Sequence, residues 1–308
     1  MSGAKNKSMV TSVKHADHWR ERPERSSIWS IRFIAFVALR VGRPAARALL
    51  YPVCAYFLLF APRALEGSRQ FLGRVLGRKA RLVESYRHFF AFASTVLDRV
   101  YFLNDRIEGF EVEVHLEPEV KALFFQPEGI VLLGAHLGSF EAVRTLGRLM
   151  VKRNVSMVMY EENARKLNSV LAAINPLRGQ EIIGLGHCDS MLKVVERLDA
   201  GDLVGILADR SIRDEKQLRC PFLGSEAAFP LGPFRIAAML KRPTVLMYGL
   251  YRGGSRYDVY FEKVPAFSEP TLARNKMIQE ALQRYVERLE HYCRLDPFNW
   301  FNFYDFWK

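Results

Sequence analysis

The stretch Gly129-Ile130-Val131-Leu132-Leu133-Gly134-Ala135-His136-Leu137-Gly138-Ser139-Phe140-Glu141 sets a histidine and a carboxylate five residues apart. A neutral imidazole is a base near pH 7. A carboxylate bonded to one ring nitrogen fixes the tautomer and leaves the other nitrogen to take a proton from an incoming hydroxyl, amine or water. A solvated acid in the first turn of a helix, favoured by the helix dipole, would give the same spacing without any chemistry. What gives the pair weight is its setting, because α/β sheets carry their sites at strand carboxyl ends.

That setting is read from the flanks. Gly129 to Leu133 is a short apolar run, expected as a buried strand. Gly134, Gly138 and Ser139 supply a tight turn and a helix start. Val143, Leu146, Leu149 and Met150 then recur at helical spacing. His136 therefore leaves a strand end, and Glu141 sits about one turn into the next helix. The backbone N–H groups near Gly138 and Ser139 are candidate donors to an oxyanion. Leu203 to Ala208 repeats the design, an apolar strand that ends on charge, so Asp209 and Arg210 are expected at the same sheet edge as His136. A surface ion pair is the alternative for those two. Phe229-Pro230-Leu231-Gly232-Pro233 is a rigid corner leading into a helix, readable either as a structural turn or as a place where free N–H groups hold an anion or a carbonyl.

The elements that must carry these residues alternate from residue 129 onward. Strands are expected at 129–135, 154–160, 180–185, 203–208, 243–251 and 256–264. Helices are expected at 139–152, 163–174, 189–199, 231–241 and 271–294. This rhythm predicts an α/β fold, a single mixed, largely parallel sheet flanked by helices. Ahead of it, 68–104 reads as helical throughout, and Glu111 to His115 alternates like a strand. Residues 298–307 hold seven aromatic side chains, which must either bury on the protein or line a lipid-facing groove.

Of 308 residues, 49% are hydrophobic, enough for a sizeable core. The four cysteines, Cys54, Cys188, Cys220 and Cys293, are widely separated. They offer no zinc spacing and no disulfide framework, so no metal or cofactor is expected. The net charge of +12 is uneven: the first 100 residues hold 18 Lys and Arg against 6 Asp and Glu, and the rest hold 27 of each. The basic third also holds the apolar runs Ile28–Leu39 and Ala48–Ala61. Basic plus apolar points to an anionic membrane surface and away from nucleic acid. Neither run reaches the roughly 20 residues of a span, so a monotopic hairpin or interfacial anchor is expected over 28–66, with a single tilted span whose terminal arginines snorkel or buried core helices as the alternatives. A polar segment (1–27) precedes it and an α/β domain (67–308) follows. No cleavable signal is visible, and the positive flanks favour the cytoplasmic side.

Taken together the chain resembles the lysophospholipid acyltransferase superfamily, and within it the bacterial lipid A biosynthesis acyltransferases. The carriers are the basic apolar N-terminus, Gly134-Ala135-His136-Leu137-Gly138-Ser139-Phe140-Glu141, Ala208-Asp209-Arg210, and Pro221-Phe222-Leu223-Gly224 followed by Phe229-Pro230-Leu231-Gly232-Pro233. The ending Trp300-Phe301-Asn302-Phe303-Tyr304-Asp305-Phe306-Trp307 looks like the acyltransferase branch found beside aryl-polyene and related lipid pathways. The resemblance implies His136 as general base, Glu141 as its orienting acid, and Asp209 and Arg210 as the charged pair of the late acyltransferases. The sequence departs from the glycerolipid acyltransferases of that superfamily in having no Phe-Pro-Glu-Gly-Thr-Arg block, so a glycerol-phosphate acceptor does not carry over.

The expected activity is transfer of an acyl group from a thioester, on acyl carrier protein or CoA, to a hydroxyl or amine of a lipid or glycolipid at the cytoplasmic face of a bacterial inner membrane. Arg74, Arg78, Lys79 and Arg81 offer a surface for an acidic carrier. Three other readings stay open: hydrolysis of thioesters or esters by the same histidine, aminoacyl transfer to lipid, and a non-catalytic membrane scaffold.

Overall fold

A computed structural model describes residues 28–161, 164, 182–186, 189–211, 215–267 and 271–308. The polar segment 1–27, Cys188 and, apart from Ala164, the helix expected over 163–174 lie outside the described residues. The first four helices are α1 (Ile28–Arg40), α2 (Arg43–Phe60), α3 (Pro62–Val75) and α4 (Leu82–Leu103). The α/β part then runs β1 (Glu111–Leu116), α5 (Pro118–Phe124), β2 (Ile130–Gly134), α6 (Phe140–Met150), β3 (Val155–Tyr160), β4 (Ile182–Leu185), α7 (Ser190–Asp199) and β5 (Leu203–Leu207). It closes with β6 (Gln217–Phe222), β7 (Ser225–Pro230), α8 (Gly232–Leu240), β8 (Thr244–Tyr251), β9 (Arg256–Lys263) and α9 (Thr271–Leu295).

Seven strands form one sheet in the order β1-β9-β8-β2-β5-β3-β4. Its pairs are parallel except β8 with β9, and nine helices among the described residues accompany it. The expected mixed, largely parallel α/β sheet is what forms. Every residue of β2 is buried, as an interior strand covered on both faces requires. Its side chains alternate between two cores: Val131 and Leu133 face one, Ile130 and Leu132 the other.

Two elements differ from expectation. The helix over 68–104 is two helices, because Leu76 to Ala80 turn away with Gly77 at φ 65°, a conformation that suits glycine. Glu84 then restarts α4 by accepting the Arg81 backbone N–H at 2.7 Å. The Pro221 and Phe229 segments are a separate antiparallel hairpin, β6 with β7. Pro221 is tolerated there because a two-stranded ribbon consists of edges.

The aromatic C-terminus is the strap that closes the molecule. Trp300 is fully buried among Phe71, Phe222 and Phe306, at ring-centroid distances of 5.0, 5.2 and 4.8 Å. Of the two fates open to this tail, burial on the protein is the one realised.

Candidate active site

The site is written by sheet register. β2 and β5 are parallel neighbours with Gly134 opposite Leu207. Ala208 N–H continues the ladder to the Gly134 carbonyl at 2.8 Å. Two residues beyond that pair stand His136 and Asp209, one at the carboxyl end of each strand. The Asp209 Oδ1 accepts from His136 Nδ1 at 2.8 Å and from the His136 backbone N–H at 3.1 Å. Asp209 is fully buried, whereas the His136 side chain is 30% exposed.

The other oxygen of Asp209 faces the strap. Oδ2 accepts from Trp300 Nε1 and from Asn302 Nδ2, both at 3.0 Å. Asn302 Oδ1 in turn accepts from Arg210 Nε at 2.6 Å, and Arg210 Nη2 donates to the Phe301 carbonyl at 2.9 Å. Burial pushes the Asp209 carboxyl up, but His136, Arg210 and Asn302 outweigh it and hold the group well below the usual carboxylate range. An ionised carboxylate only accepts, so His136 Nδ1 carries the proton and Nε2 keeps its lone pair. Burial lowers the His136 pKa and the Arg210 charge lowers it further, against Asp209, which raises it. The imidazole is therefore neutral and basic at Nε2 under ordinary conditions.

The partner expected for His136 was Glu141, and here the geometry corrects the expectation. The acid on Nδ1 is Asp209. Glu141 lies on α6, 2% exposed, with Oε2 at 3.0 Å from Arg144 Nε and Oε1 at 3.6 Å from Arg99 Nε. The cause is helical direction: the first turn of α6 points Glu141 toward α4, which carries Arg99, while His136 precedes the helix on the β5 side.

The expected oxyanion donors are also engaged. Gly138 N–H donates to the Asn299 carbonyl at 2.8 Å, and Ser139 N–H to the Gly249 carbonyl at 2.7 Å. The Ser139 hydroxyl caps α6 by accepting Ala142 N–H at 3.2 Å. Gly138 sits at φ 66°, and a Cβ there would collide with the Gly249 carbonyl. Both residues thus stitch the His136 loop to the strap and to β8. Phe229 and Pro230 end β7 in the buried core beside Phe222 and Phe306. Gly232 opens α8 against the Glu215 carboxylate, an anion already in place at that helix start. Of the three, Phe229 packs directly on the strap, against Phe306.

Trp300, Asn302 and His88 belong to the site's framework; the sequence reading holds the first two only as members of the aromatic tail and gives His88 no role. The available signals were weak: asparagines set among the aromatics of the tail, and a histidine among the apolar positions of a helix.

A search of the curated proteins finds no match. The family model for bacterial lipid A biosynthesis acyltransferases matches residues 14–308, which covers the site and its strap alike. The chain belongs to the bacterial lipid A biosynthesis acyltransferase family, and its activity is acyl transfer to lipid.

Proposed function

We propose that the protein moves an acyl group from a thioester donor to a hydroxyl or amine of a lipid acceptor, with His136 Nε2 as the general base. The observation that carries this reading is a partly exposed imidazole whose Nδ1 is held by a buried carboxylate. In the forward step the acceptor O–H or N–H gives its proton to Nε2 as the oxygen or nitrogen bonds the thioester carbonyl carbon. The tetrahedral intermediate collapses by breaking the C–S bond, and the imidazolium returns the proton to the departing thiolate. Asp209 stabilises the imidazolium between these events. Arg210, whose charge is felt at His136, is the candidate for steadying the oxyanion or a substrate phosphate. Glu141 holds Arg99 and Arg144 in this reading.

The substrate side rests on surfaces. The face of α1 and α2 exposes Phe36, Tyr51, Tyr56, Leu59 and Phe60, each more than 45% accessible, flanked by Arg40 and Arg63. Patches of this kind mark lipid or protein contact. No single described helix is long and apolar enough to cross a membrane, and α2 meets α3 at a bend of 95°. A monotopic seat on the cytoplasmic face of the inner membrane fits that bend and the arginine flanks. The donor thioester is assigned to an acyl carrier protein, with acyl-CoA as the other source of the same chemistry. The basic patch for it is smaller than its sequence suggests. Arg74 stacks on Trp307 at 4.3 Å, and Arg78, exposed like Lys79 and Arg81, is paired with Glu84 at 2.5 Å.

Incubating the purified protein with labelled acyl thioester, on carrier or on CoA, and vesicles of bacterial membrane lipid tests the reading. Label appears in a lipid with the wild type and not with His136→Ala. Free fatty acid alone would make the protein a hydrolase, and unchanged transfer by His136→Ala would remove the mechanism.

A further inference from the structure

We infer that Trp300 and His88 are positioning residues for the base: they hold the Asp209 carboxylate in the one orientation that leaves His136 Nε2 free. This rests on the proposed role of His136. The two oxygens of Asp209 have separate duties. Oδ1 takes the backbone N–H and the ring Nδ1 of His136, and Oδ2 takes only the strap, through Trp300 Nε1 and Asn302 Nδ2. Rotation about the carboxylate's own axis would trade these partners. The strap donors prevent it, and Trp300 is the stiffer of the two, with a ring fully buried and packed on Phe71, Phe222, Phe306 and Trp307.

Trp300 is itself tied at its backbone. Its carbonyl oxygen lies 2.9 Å from His88 Nε2, and His88 Nδ1 lies 3.0 Å from Ser68 Oγ. A carbonyl only accepts, so Nε2 carries the hydrogen and Nδ1 accepts from the Ser68 hydroxyl. His88 is completely buried, and burial pushes its pKa down to about 4 against the bond to Trp300, which raises it. It is therefore a permanent neutral donor across the working pH range and not a switch. An apolar ring of the same size would fill the space between Phe71 and Phe303. The Trp300 carbonyl also accepts from the Asn302 backbone N–H at 3.0 Å, and only a donor at position 88 supplies the second bond that ties it to α4.

The chain of contacts runs Ser68, His88, Trp300, Asp209, His136, from α3 and α4 through the strap to the sheet edge. The charged and titratable groups around its reactive end are Asp209 and Arg210 on the β5 side; the Tyr285 hydroxyl donates to the Gly134 carbonyl at 2.9 Å, and Tyr304 lies under Arg210 with centroid 5.9 Å from its guanidinium carbon.

The test is ring-nitrogen NMR of histidine-labelled full-length protein in detergent micelles, with His136→Ala to assign the signal. The wild type shows one His136 tautomer, proton on Nδ1. In Trp300→Phe the carboxylate keeps its charge with one donor fewer, which favours the imidazolium, and it is freer to rotate away from Nδ1. The His136 titration then moves to higher pH, and the Nε2–H tautomer becomes visible. His88→Phe gives the same signature, and His88→Gln, which keeps a donor, restores the wild-type pattern. Loss of turnover in Trp300→Phe is expected at about 10- to 100-fold, the range carried by outer partners of a functional histidine, with KM little changed. An unmoved titration and a single tautomer in Trp300→Phe overturn the inference, and that variant decides alone if His88→Phe does not fold. Turnover surviving in His136→Ala would instead sink the proposed function and leave the NMR result standing.

Discussion

Asp209 Oδ1 accepts from both the ring nitrogen and the backbone nitrogen of His136, at 2.8 and 3.1 Å. The carboxylate therefore fixes where the histidine starts as well as how its ring is turned. Asp209→Asn places an NH2 group among four N–H donors, so at least one must lose its acceptor. The amide flips to suit either His136 or the strap and cannot serve both. Turnover should fall about 100- to 10,000-fold, the span a general base contributes. Glu141→Gln acts at Arg99 and Arg144, so its loss should be smaller and should leave the tautomer of His136 alone. Steady-state kinetics with histidine NMR on the two variants checks the assignment. A His136 tautomer disturbed by Glu141→Gln and untouched by Asp209→Asn would restore the HX4E pairing.

The pH profile follows from the same geometry. In the proposed mechanism the active form of His136 is neutral, so kcat/KM should be high above its pKa and fall as pH drops through it. Burial and Arg210 lower that pKa, so the acid limb should lie below the ordinary histidine value of about 6.5. Arg210→Gln removes one of the two lowering influences, and the limb should move to higher pH. A limb that stays put or moves down in Arg210→Gln would contradict the electrostatics described above.

Stability carries a separate signature from His88. Its pKa in the folded chain is about 4, below the unfolded value of about 6.5. Above 6.5 both states hold neutral His88, and it contributes no pH dependence. As pH falls from 6.5 toward 4 the unfolded chain takes the proton and the folded chain does not, so stability is lost, by about 3 kcal/mol at the end of that window. Thermal unfolding of the detergent-solubilised wild type should show this decline. His88→Gln should show a shallower one, and equal slopes would mean that other groups dominate.

Much of this site was legible in the sequence because it follows from strand ends. The apolar runs Ile130–Leu133 and Leu203–Leu207 identified two interior strands, and parallel register does the rest of the work of facing His136 to Asp209. What was not legible is which acid reaches the imidazole. Glu141 is near in sequence, but the turn of α6 points it at Arg144 and Arg99. Asp209 is 73 residues away and arrives by strand pairing. Trp300 comes from farther still and His88 from the other side of the chain, on a strap and a helix whose composition reads as ordinary core. The hairpin β6–β7 was missed because Pro221 and Pro230 argue against strands by the usual rule, which an isolated two-stranded ribbon escapes.

Gly138 tests how tightly the loop is held. At φ 66°, with the Gly249 carbonyl where a Cβ would stand, alanine suffers both backbone strain and a collision with a buried strand. Gly138→Ala should destabilise the fold by more than about 2 kcal/mol. It should also free the Asn299 carbonyl and loosen the strap, so turnover should drop even at temperatures where the variant stays folded. Thermal unfolding and activity measured together check this, and a variant as stable as the wild type would mean that the loop and β8 are not in contact.

The proposed membrane seat has its own test. Leu59 and Phe60 are 72% and 57% exposed at the end of α2, next to the bend into α3. Removing such exposed apolar surface leaves the packed side of the helix, Ala46, Leu50 and Cys54, untouched. The double variant Leu59→Glu, Phe60→Glu should therefore fold like the wild type and lose flotation with vesicles of phosphatidylethanolamine and phosphatidylglycerol. Each side chain withdrawn from lipid forfeits about 1.5–3 kcal/mol, so the two together should weaken binding by more than 100-fold. The arginine flanks alone would hold the protein through charge, and high salt would release it. Wild-type protein should resist high salt and yield to detergent. Release of the wild type by salt alone, or full flotation of the double variant, would assign the exposed face of α2 to something other than lipid.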